Sequence, residues 1–256
     1  MRMKINIYGY GFVGKAHYEI LRQEHEINIL DPKYPDSQRK DFEPDAAIIC
    51  VSTPQAESGE CNMNNILDVL ASISESVPIL IKSTISLEGW KTIKDRFPNH
   101  SVNFSPEFLR ESTFLNDFKN MNTMYLSKDR SSWWIKIFKP LWENLQFVIK
   151  DPEELIMIKY FRNSYLAVKV SFFNQVYDLC EKTGIDFEEV RSGITQDPRI
   201  GSSHSFVTEE RGFGGHCLPK DSAAIVKTAD DYEIDLSVIK NARKYNSKIR
   251  KNLDHQ

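Results

Sequence analysis

The 256 residues are enough for one large domain, or for one domain with an all-helical extension. The 36 acidic and 33 basic residues leave a net charge of -3, and their scatter along the chain offers no footprint for a nucleic acid. No apolar run approaches the ~18 residues of a membrane span, Met1-Arg2-Met3-Lys4 runs straight into a strand pattern without a signal peptide, and Cys50, Cys61, Cys180 and Cys217 show neither a C-x-x-C pair nor metal-ligand spacing. The expectation is a cytoplasmic, reduced setting, with no metal and no membrane.

In chain order, Lys4 to Tyr8 (K-I-N-I-Y) reads as a short strand, followed by a glycine turn and a helix to about Glu24. Glu26 to Leu30 is a second strand, ending at Asp31. Ala46 to Val51 is an apolar run of strand length, Asn65 to Ser76 a helix, and Pro78 to Lys82 another buried strand. Val102 to Phe104 and Thr123 to Leu126 are further strand candidates. Alternating strands and helices, with several strands apolar throughout, predict an α/β fold whose parallel sheet is covered on both faces.

The pattern changes at Asp151-Pro152. Glu153 to Thr183 predicts one long helix, with Leu155, Ile158, Leu166, Val170, Phe173, Val176 and Leu179 at helical spacing and Gly184 in the manner of a C-cap. A loop-rich stretch runs from Gly193 to Asp221. A last helix starts near Ser222, with a break near Asp235. The division is therefore a dinucleotide-type domain over residues 1–150 and an all-α region over residues 151–256.

Gly9-Tyr10-Gly11-Phe12-Val13-Gly14 is a G-x-G-x-x-G between a predicted strand and a predicted helix. Gly9 allows the tight turn, Gly11 lets the backbone approach a pyrophosphate, and Gly14 lets helix and strand pack closely. The helix start, at Phe12 and Val13, offers free N–H groups and a partial positive charge to phosphates. Asp31 ends the second strand, where a carboxylate accepts ribose hydroxyls and repels a 2′-phosphate. That predicts a Rossmann-type, doubly wound domain binding NAD rather than NADP, with Lys33 close by.

Later segments carry a resemblance. They are V-S-T-P (Val51 to Pro54), K-S-T-I (Lys82 to Ile85), S-P-E-F-L-R-E (Ser105 to Glu111), I-K-Y-F-R-N (Ile158 to Asn163), L-A-V-K-V-S-F (Leu166 to Phe172) and G-F-G-G-H-C-L-P-K-D (Gly212 to Asp221). In this order they resemble the UDP-glucose/GDP-mannose dehydrogenase family over nearly the whole chain. The resemblance implies oxidation of the primary alcohol of a nucleotide-bound hexose to a carboxylate, with two NAD per turnover. It makes Cys217 the nucleophile of the aldehyde step: a thiolate adduct expels hydride and leaves a thioester. A polar surround of glycines, Lys220 and Asp221 suits a reactive thiol, whereas Cys50 and Cys180 read as small core residues.

The same resemblance implies the remaining roles. Lys159 stabilises the developing oxyanion, and Asn163, one helical turn on, positions the sugar. Asp221 and Thr84 orient or deprotonate the hydrolytic water. Glu111 is the acid near nicotinamide and water, and Glu107, four residues before it, has an acid/base role that pairing of the two carboxylates would tune. Thr53, Thr84, Glu111 and Lys220 join the glycine loop, Asp31 and Lys33 as cofactor contacts. Phe108, Leu109, Arg110 and Gly214 join Glu107, Lys159 and Asn163 at the substrate, and Arg199 reaches the substrate of the partner subunit. A homodimer built on the long helix is expected, because its apolar stripe is longer than so small a region can cover.

The family continues past a connecting helix into a second nucleotide-gripping domain, on the order of 100–150 residues. Its lysine and arginine have no counterpart in these 256 residues. Two other readings stay open: a β-hydroxyacid-dehydrogenase-like enzyme, which makes one hydride transfer on a small substrate and uses no cysteine, and an inactive NAD-binding remnant. G-G-H-C-L-P-K-D speaks against the former. His216 before Cys217 is common in relatives that use N-acetylated sugars, whereas Leu218-Pro219-Lys220-Asp221 is typical of the glucose and mannose branch.

Overall fold

A computed structural model describes residues 2–39, 41–56 and 59–251. It divides into two compact units, Met1–Pro54 with Cys61–Lys159, and Gln55–Glu60 with Tyr160–Gln256.

In the first unit β1 (Lys4–Tyr8), β2 (Glu26–Leu30), β3 (Ala46–Ile49), β4 (Ile79–Ile81) and β5 (Val102–Phe104) form one parallel sheet in the order β2-β1-β3-β4-β5. Every residue of β3 and β4 is buried, so both faces of these strands are covered and period-two alternation gives way to continuous apolar runs. After β1 the chain turns to one side of it for β2 and to the other side for β3. The carboxyl ends of β1 and β3 therefore flank a topological switch point, where open α/β sheets bind ligands.

Helices α1 (Phe12–Leu21), α2 (Asn64–Ser72) and α3 (Leu87–Arg96) follow β1, β3 and β4. Next come α4 (Phe114–Lys119), β6 (Thr123–Ser127), α5 (Ser131–Phe138) and β7 (Gln146–Lys150), with β6 and β7 paired in parallel. Side chains rather than a ladder tie β6 to β5: Ser127 Oγ accepts the Phe104 N–H at 2.9 Å, and Ser105 Oγ donates to the Tyr125 carbonyl at 2.5 Å.

The second unit is helical. Helix α6 (Pro152–Thr183) opens on a proline whose missing N–H has no intrahelical use, with Glu153 and Glu154 favourable to the dipole of the first turn. It ends at Gly184, whose φ of +70° closes the helix. Helix α7 (Phe187–Thr195) is capped by Asp186, which accepts the Glu188 N–H at 2.8 Å. Helices α8 (Cys217–Asp231) and α9 (Ser237–Ile249) complete the unit, separated near Asp235.

Several expectations change. Helix α1 stops at Leu21 because the chain turns back, with the His25 N–H bonded to the Leu21 carbonyl. Helix α2 stops at Ser72, four residues early, and Ser74 and Ser76 hydrogen-bond to each other in the turn beyond it. Helix α7 forms ahead of the stretch read as loop and runs three residues into it, to Thr195. Helix α8 starts at Cys217 rather than Ser222. Pro219 sits in the first turn, where a proline costs no hydrogen bond. Cys217 is thus a helix-start residue.

The predicted stripe of α6 also divides. Leu155, Val170 and Phe173 are buried, Ile158, Leu166 and Val176 are half-buried, and Leu179 is exposed; Phe161, Tyr165 and Phe172, outside the predicted stripe, are exposed on the face of Leu179.

Candidate active site

Each strand of the five-stranded sheet hands a predicted site residue to its carboxyl end: Gly9 after β1, Asp31 after β2, Thr53 after β3, Thr84 after β4 and Glu107 after β5. The glycine loop has the shape of a phosphate cradle. A Cβ on Gly9, whose φ is +89°, would lie 2.8 Å from the Cys50 carbonyl group, and a Cβ on Gly14 would overlap the Gly9 carbonyl oxygen. At Gly11 a Cβ would meet nothing, so this is the side on which a ligand can approach the backbone. Helix α1 starts there without a side-chain cap and without an acidic residue in its first turn. Phe12 packs on Phe114 at 6.3 Å, and the Val13 carbonyl accepts from His17 Nδ1 at 2.9 Å.

Asp31 is tied to this loop. Its Oδ2 accepts the Tyr10 N–H at 2.6 Å and its Oδ1 the Lys33 N–H at 2.8 Å. Lys33 is exposed. An open backbone at Gly11, an uncapped helix start and a carboxylate fixed beside them fit the pyrophosphate and ribose of a dinucleotide. Thr53 is buried, and the Thr84 carbonyl accepts the Cys61 thiol at 3.4 Å.

The segment after β5 is built around a buried ion pair. Lys82 Nζ lies 2.5 Å from Glu107 Oε1 and donates to Ser105 Oγ at 2.6 Å. His17 Nε2 is 3.5 Å from the same carboxylate. Because the Val13 carbonyl can only accept, the proton of the neutral imidazole sits on Nδ1. Burial pushes His17 down to about 4, so the ring stays neutral beside the pair. The same physics pushes the Cys50 thiol up, in keeping with an unreactive core residue.

Residues 105–110 form neither helix nor strand, and the Glu107 carboxylate is held by Lys82. The Glu107 carbonyl accepts a hydrogen bond from Lys159 Nζ, which also lies 5.3 Å from the centre of the Phe108 ring. Leu109 packs with Ala16, Ile20 and Phe118. Arg110 is exposed and gripped by Asp117, at 3.0 Å through Nε and 2.6 Å through Nη2. Glu111 opens the short turn ahead of α4.

In the second unit, Asn163 Nδ2 donates to Asp221 Oδ2 at 2.5 Å, and Lys220 Nζ pairs with Asp221 Oδ1 at 2.8 Å. Asp221 is fully buried, so both partners are needed to compensate its charge. Cys217 is the first residue of α8 and lies one turn before Asp221, on the same face. A thiol at a helix start sits where the dipole favours negative charge. A Cβ on Gly214 would meet the end of the Arg250 side chain, which would have to move aside. Arg199 is exposed and folded onto Asp197, with Nη2 at 2.5 Å from Oδ2.

The structure therefore assembles two groups. Gly9 to Gly14, Asp31, Thr53, Thr84, Glu107, Phe108 and Lys159 belong to the first unit. Asn163, Cys217, Lys220 and Asp221 belong to the second. Sequence reasoning missed Lys82 and His17. A lysine closing the apolar run I-L-I-K was a signal, since a cation there requires a buried partner. It also missed Asn174 and Asn246, which hold the cysteine loop and carry no local pattern.

Residues 33–145 match the UDP-glucose/GDP-mannose dehydrogenase family, NAD binding domain, and residues 153–248 match the central domain of the same family. The UDP-glucose 6-dehydrogenase of Rickettsia felis is 33% identical over 248 residues, which are 92% of this chain and 54% of that protein. The chain thus spans about half the length of the curated relatives it matches. Among solved structures, a UDP-glucose dehydrogenase from the hyperthermophilic archaeon Pyrobaculum islandicum superposes with a TM-score of 0.84 at 22% identity, over 97% of this chain and 68% of that one. The 3-hydroxyisobutyrate dehydrogenase of Mycobacterium tuberculosis gives 0.72 at 16%, over 97% and 94%. At these identities the two structures share the fold.

Proposed function

The chain belongs to the UDP-glucose/GDP-mannose dehydrogenase family, a family with an NAD-binding domain, and from that premise we propose that it carries the reaction centre of a nucleotide-sugar 6-dehydrogenase acting on UDP-glucose or a related NDP-hexose. The observation that carries the reading is the cluster at the head of α8, where Cys217 stands one turn from a buried Asp221 held by Asn163 and Lys220. Gly9, Gly11, Phe12, Val13, Gly14 and Asp31 would hold the cofactor, with Thr53, Thr84, Glu111 and Lys220 as further contacts. Bound NAD accepts the hydride of each of the two oxidations.

This chain's residues supply the rest. The Lys159 ammonium stabilises the alkoxide as the alcohol passes its proton to solvent and gives up a hydride to become the aldehyde. The Cys217 thiolate then adds to the aldehyde carbon, forming a C–S bond and a thiohemiacetal oxyanion. Loss of the second hydride leaves a thioester. Water, oriented by Asp221 and Thr84, adds to the thioester carbonyl; the C–S bond breaks, and the sulfur leaves as thiolate with the carboxylate released. Asn163 positions the sugar. Glu107 contributes through its backbone carbonyl, which receives Lys159 while the side chain is anchored by Lys82. Phe108, Leu109, Arg110, Gly214 and, across a dimer, Arg199 line the substrate.

The dimer is part of the proposal. On α6, Phe161, Tyr165, Phe172 and Leu179 are exposed and fall within roughly 40° of one another at about 100° per residue. An uncovered aromatic stripe on a long helix favours self-association through a two-fold axis. Sedimentation at micromolar concentration tests it, and a Tyr165→Glu chain is expected to run as a monomer.

The direct test of the activity is NADH formed on adding UDP-glucose or GDP-mannose, with the acid product identified. No NADH with any nucleotide hexose, alongside normal NAD binding, would make the chain an NAD-binding remnant. One NADH from a small hydroxyacid would favour the single-transfer reading.

A further inference from the structure

The segment that delivers Cys217 is held by two side-chain amides from helices distant in sequence. Asn174, fully buried in α6, accepts the Gly212 N–H at 3.0 Å and Arg211 Nε at 2.9 Å through Oδ1, while its Nδ2 donates to the Val170 carbonyl at 2.9 Å. From α9, Asn246 pairs with Phe213 as one backbone amide pairs with another. Its Oδ1 accepts the Phe213 N–H at 2.7 Å and its Nδ2 donates to the Phe213 carbonyl at 3.0 Å. A carboxamide offers that donor and acceptor together, which neither a carboxylate nor a hydroxyl of the same reach does.

The surroundings reinforce the pairing. Asp178 of α6 accepts from Arg211 Nη2 at 2.5 Å and from the Tyr245 hydroxyl of α9. Arg250 donates to the Arg211 carbonyl at 3.0 Å and pairs with Glu210 at 2.9 Å. Arg211 and Gly212 both have left-handed backbones, with φ of +62° and +57°, a state that persists in an arginine only where its neighbours fix it. The Phe213 ring, next to the paired amide, packs with Ala167, Val170 and Leu218, the residue after Cys217.

We propose that Asn246 is a positioning residue for Cys217: by pairing with Phe213 it sets the path of residues 212–216, so that the chain enters α8 with the thiol at its first position. The proposal rests on the reading of Cys217 as the nucleophile. Asn246 touches no reacting atom and acts through the loop.

Amide hydrogen exchange and separated half-reactions test it on the full chain. In Asn246→Ala, amides of residues 212–217 are expected to exchange about tenfold faster, the consequence of losing one or two hydrogen bonds, while α6 and α7 amides keep their protection. Asn246→Asp keeps the acceptor for the Phe213 N–H and is expected to fall between Ala and the native chain. Oxidation of supplied aldehyde falls about tenfold in Asn246→Ala, while alcohol oxidation, which needs no sulfur, stays within about twofold.

Unchanged exchange at residues 212–217, or faster exchange across the whole second unit, overturns the proposal, as does equal loss in both half-reactions. Undiminished aldehyde oxidation in Cys217→Ala would instead refute the thioester reading; the exchange pattern then decides the clamp by itself.

Discussion

Two loops in this molecule each feed a helix start that the proposed chemistry uses, and they are held in opposite ways. The loop before α1 is fixed by backbone against backbone: Gly14 has the Gly9 carbonyl where a Cβ would be, and Gly9 abuts Cys50 and Val51. The loop before α8 is fixed by side chains, with Asn174, Asp178, Asn246 and Arg250 reaching it from α6 and α9. A backbone-packed loop is rigid and intolerant, as suits a cradle for a phosphate pair. A side-chain-clamped loop keeps its path only while its distant partners stay in place, so the nucleophile proposed at Cys217 depends on α6 and α9.

The sharpest contrast is Gly14→Ala. In an ordinary helix this change is favourable by about 1 kcal/mol. Here the new methyl must displace the Gly9 carbonyl, so NAD affinity is expected to fall by at least about a hundredfold, or about 3 kcal/mol, read by calorimetry. Affinity within threefold of native would show that the first loop yields after all.

Next in size is acid sensitivity of the first region. The folded His17 value near 4 lies below the ordinary 6.5, so the unfolded chain binds the extra proton first. Stability from this group is full above pH 6.5 and is lost as pH falls through 6.5 toward 4, by about 3 kcal/mol in all. His17→Gln should flatten the dependence of urea stability over that window, and an unchanged slope would contradict the neutral buried ring.

Gly212→Ala probes the second loop. Its Cβ meets the Asn246 carboxamide, which can swing away, and pays for a left-handed backbone, so about 1–2 kcal/mol is expected from denaturant midpoints, with NAD affinity unchanged. A loss as large as that of Gly14→Ala would erase the difference between the loops. Smallest is Asp31→Ala, expected to narrow the preference for NAD over NADP by about tenfold, measured by titrating both cofactors.

This difference in fixing also explains what the sequence made legible. Backbone packing leaves a local mark, because glycine alone satisfies Gly9 and Gly14, and the apolar runs of β3 and β4 mark the sheet just as locally. The Cys217 segment was recognisable as a motif, but its structure was misread as loop through residue 221, because the partners that order it lie 33 to 39 positions away. The Lys82–Glu107 pair was hidden for the same reason: its members sit on different strand ends, brought together by the parallel order of β4 and β5. Helix α3 was missed because its sequence is largely polar and only Gly89, Trp90 and Ile93 are buried.

The central claim is that Cys217, at the head of α8, carries the second oxidation. Hydride stoichiometry tests it most directly: NADH released per nucleotide hexose consumed, in the native chain and in Cys217→Ala. The account predicts two for the native chain, with acid as product, and no more than one for the variant, with aldehyde accumulating. Two per sugar in Cys217→Ala, at the native rate, would contradict it.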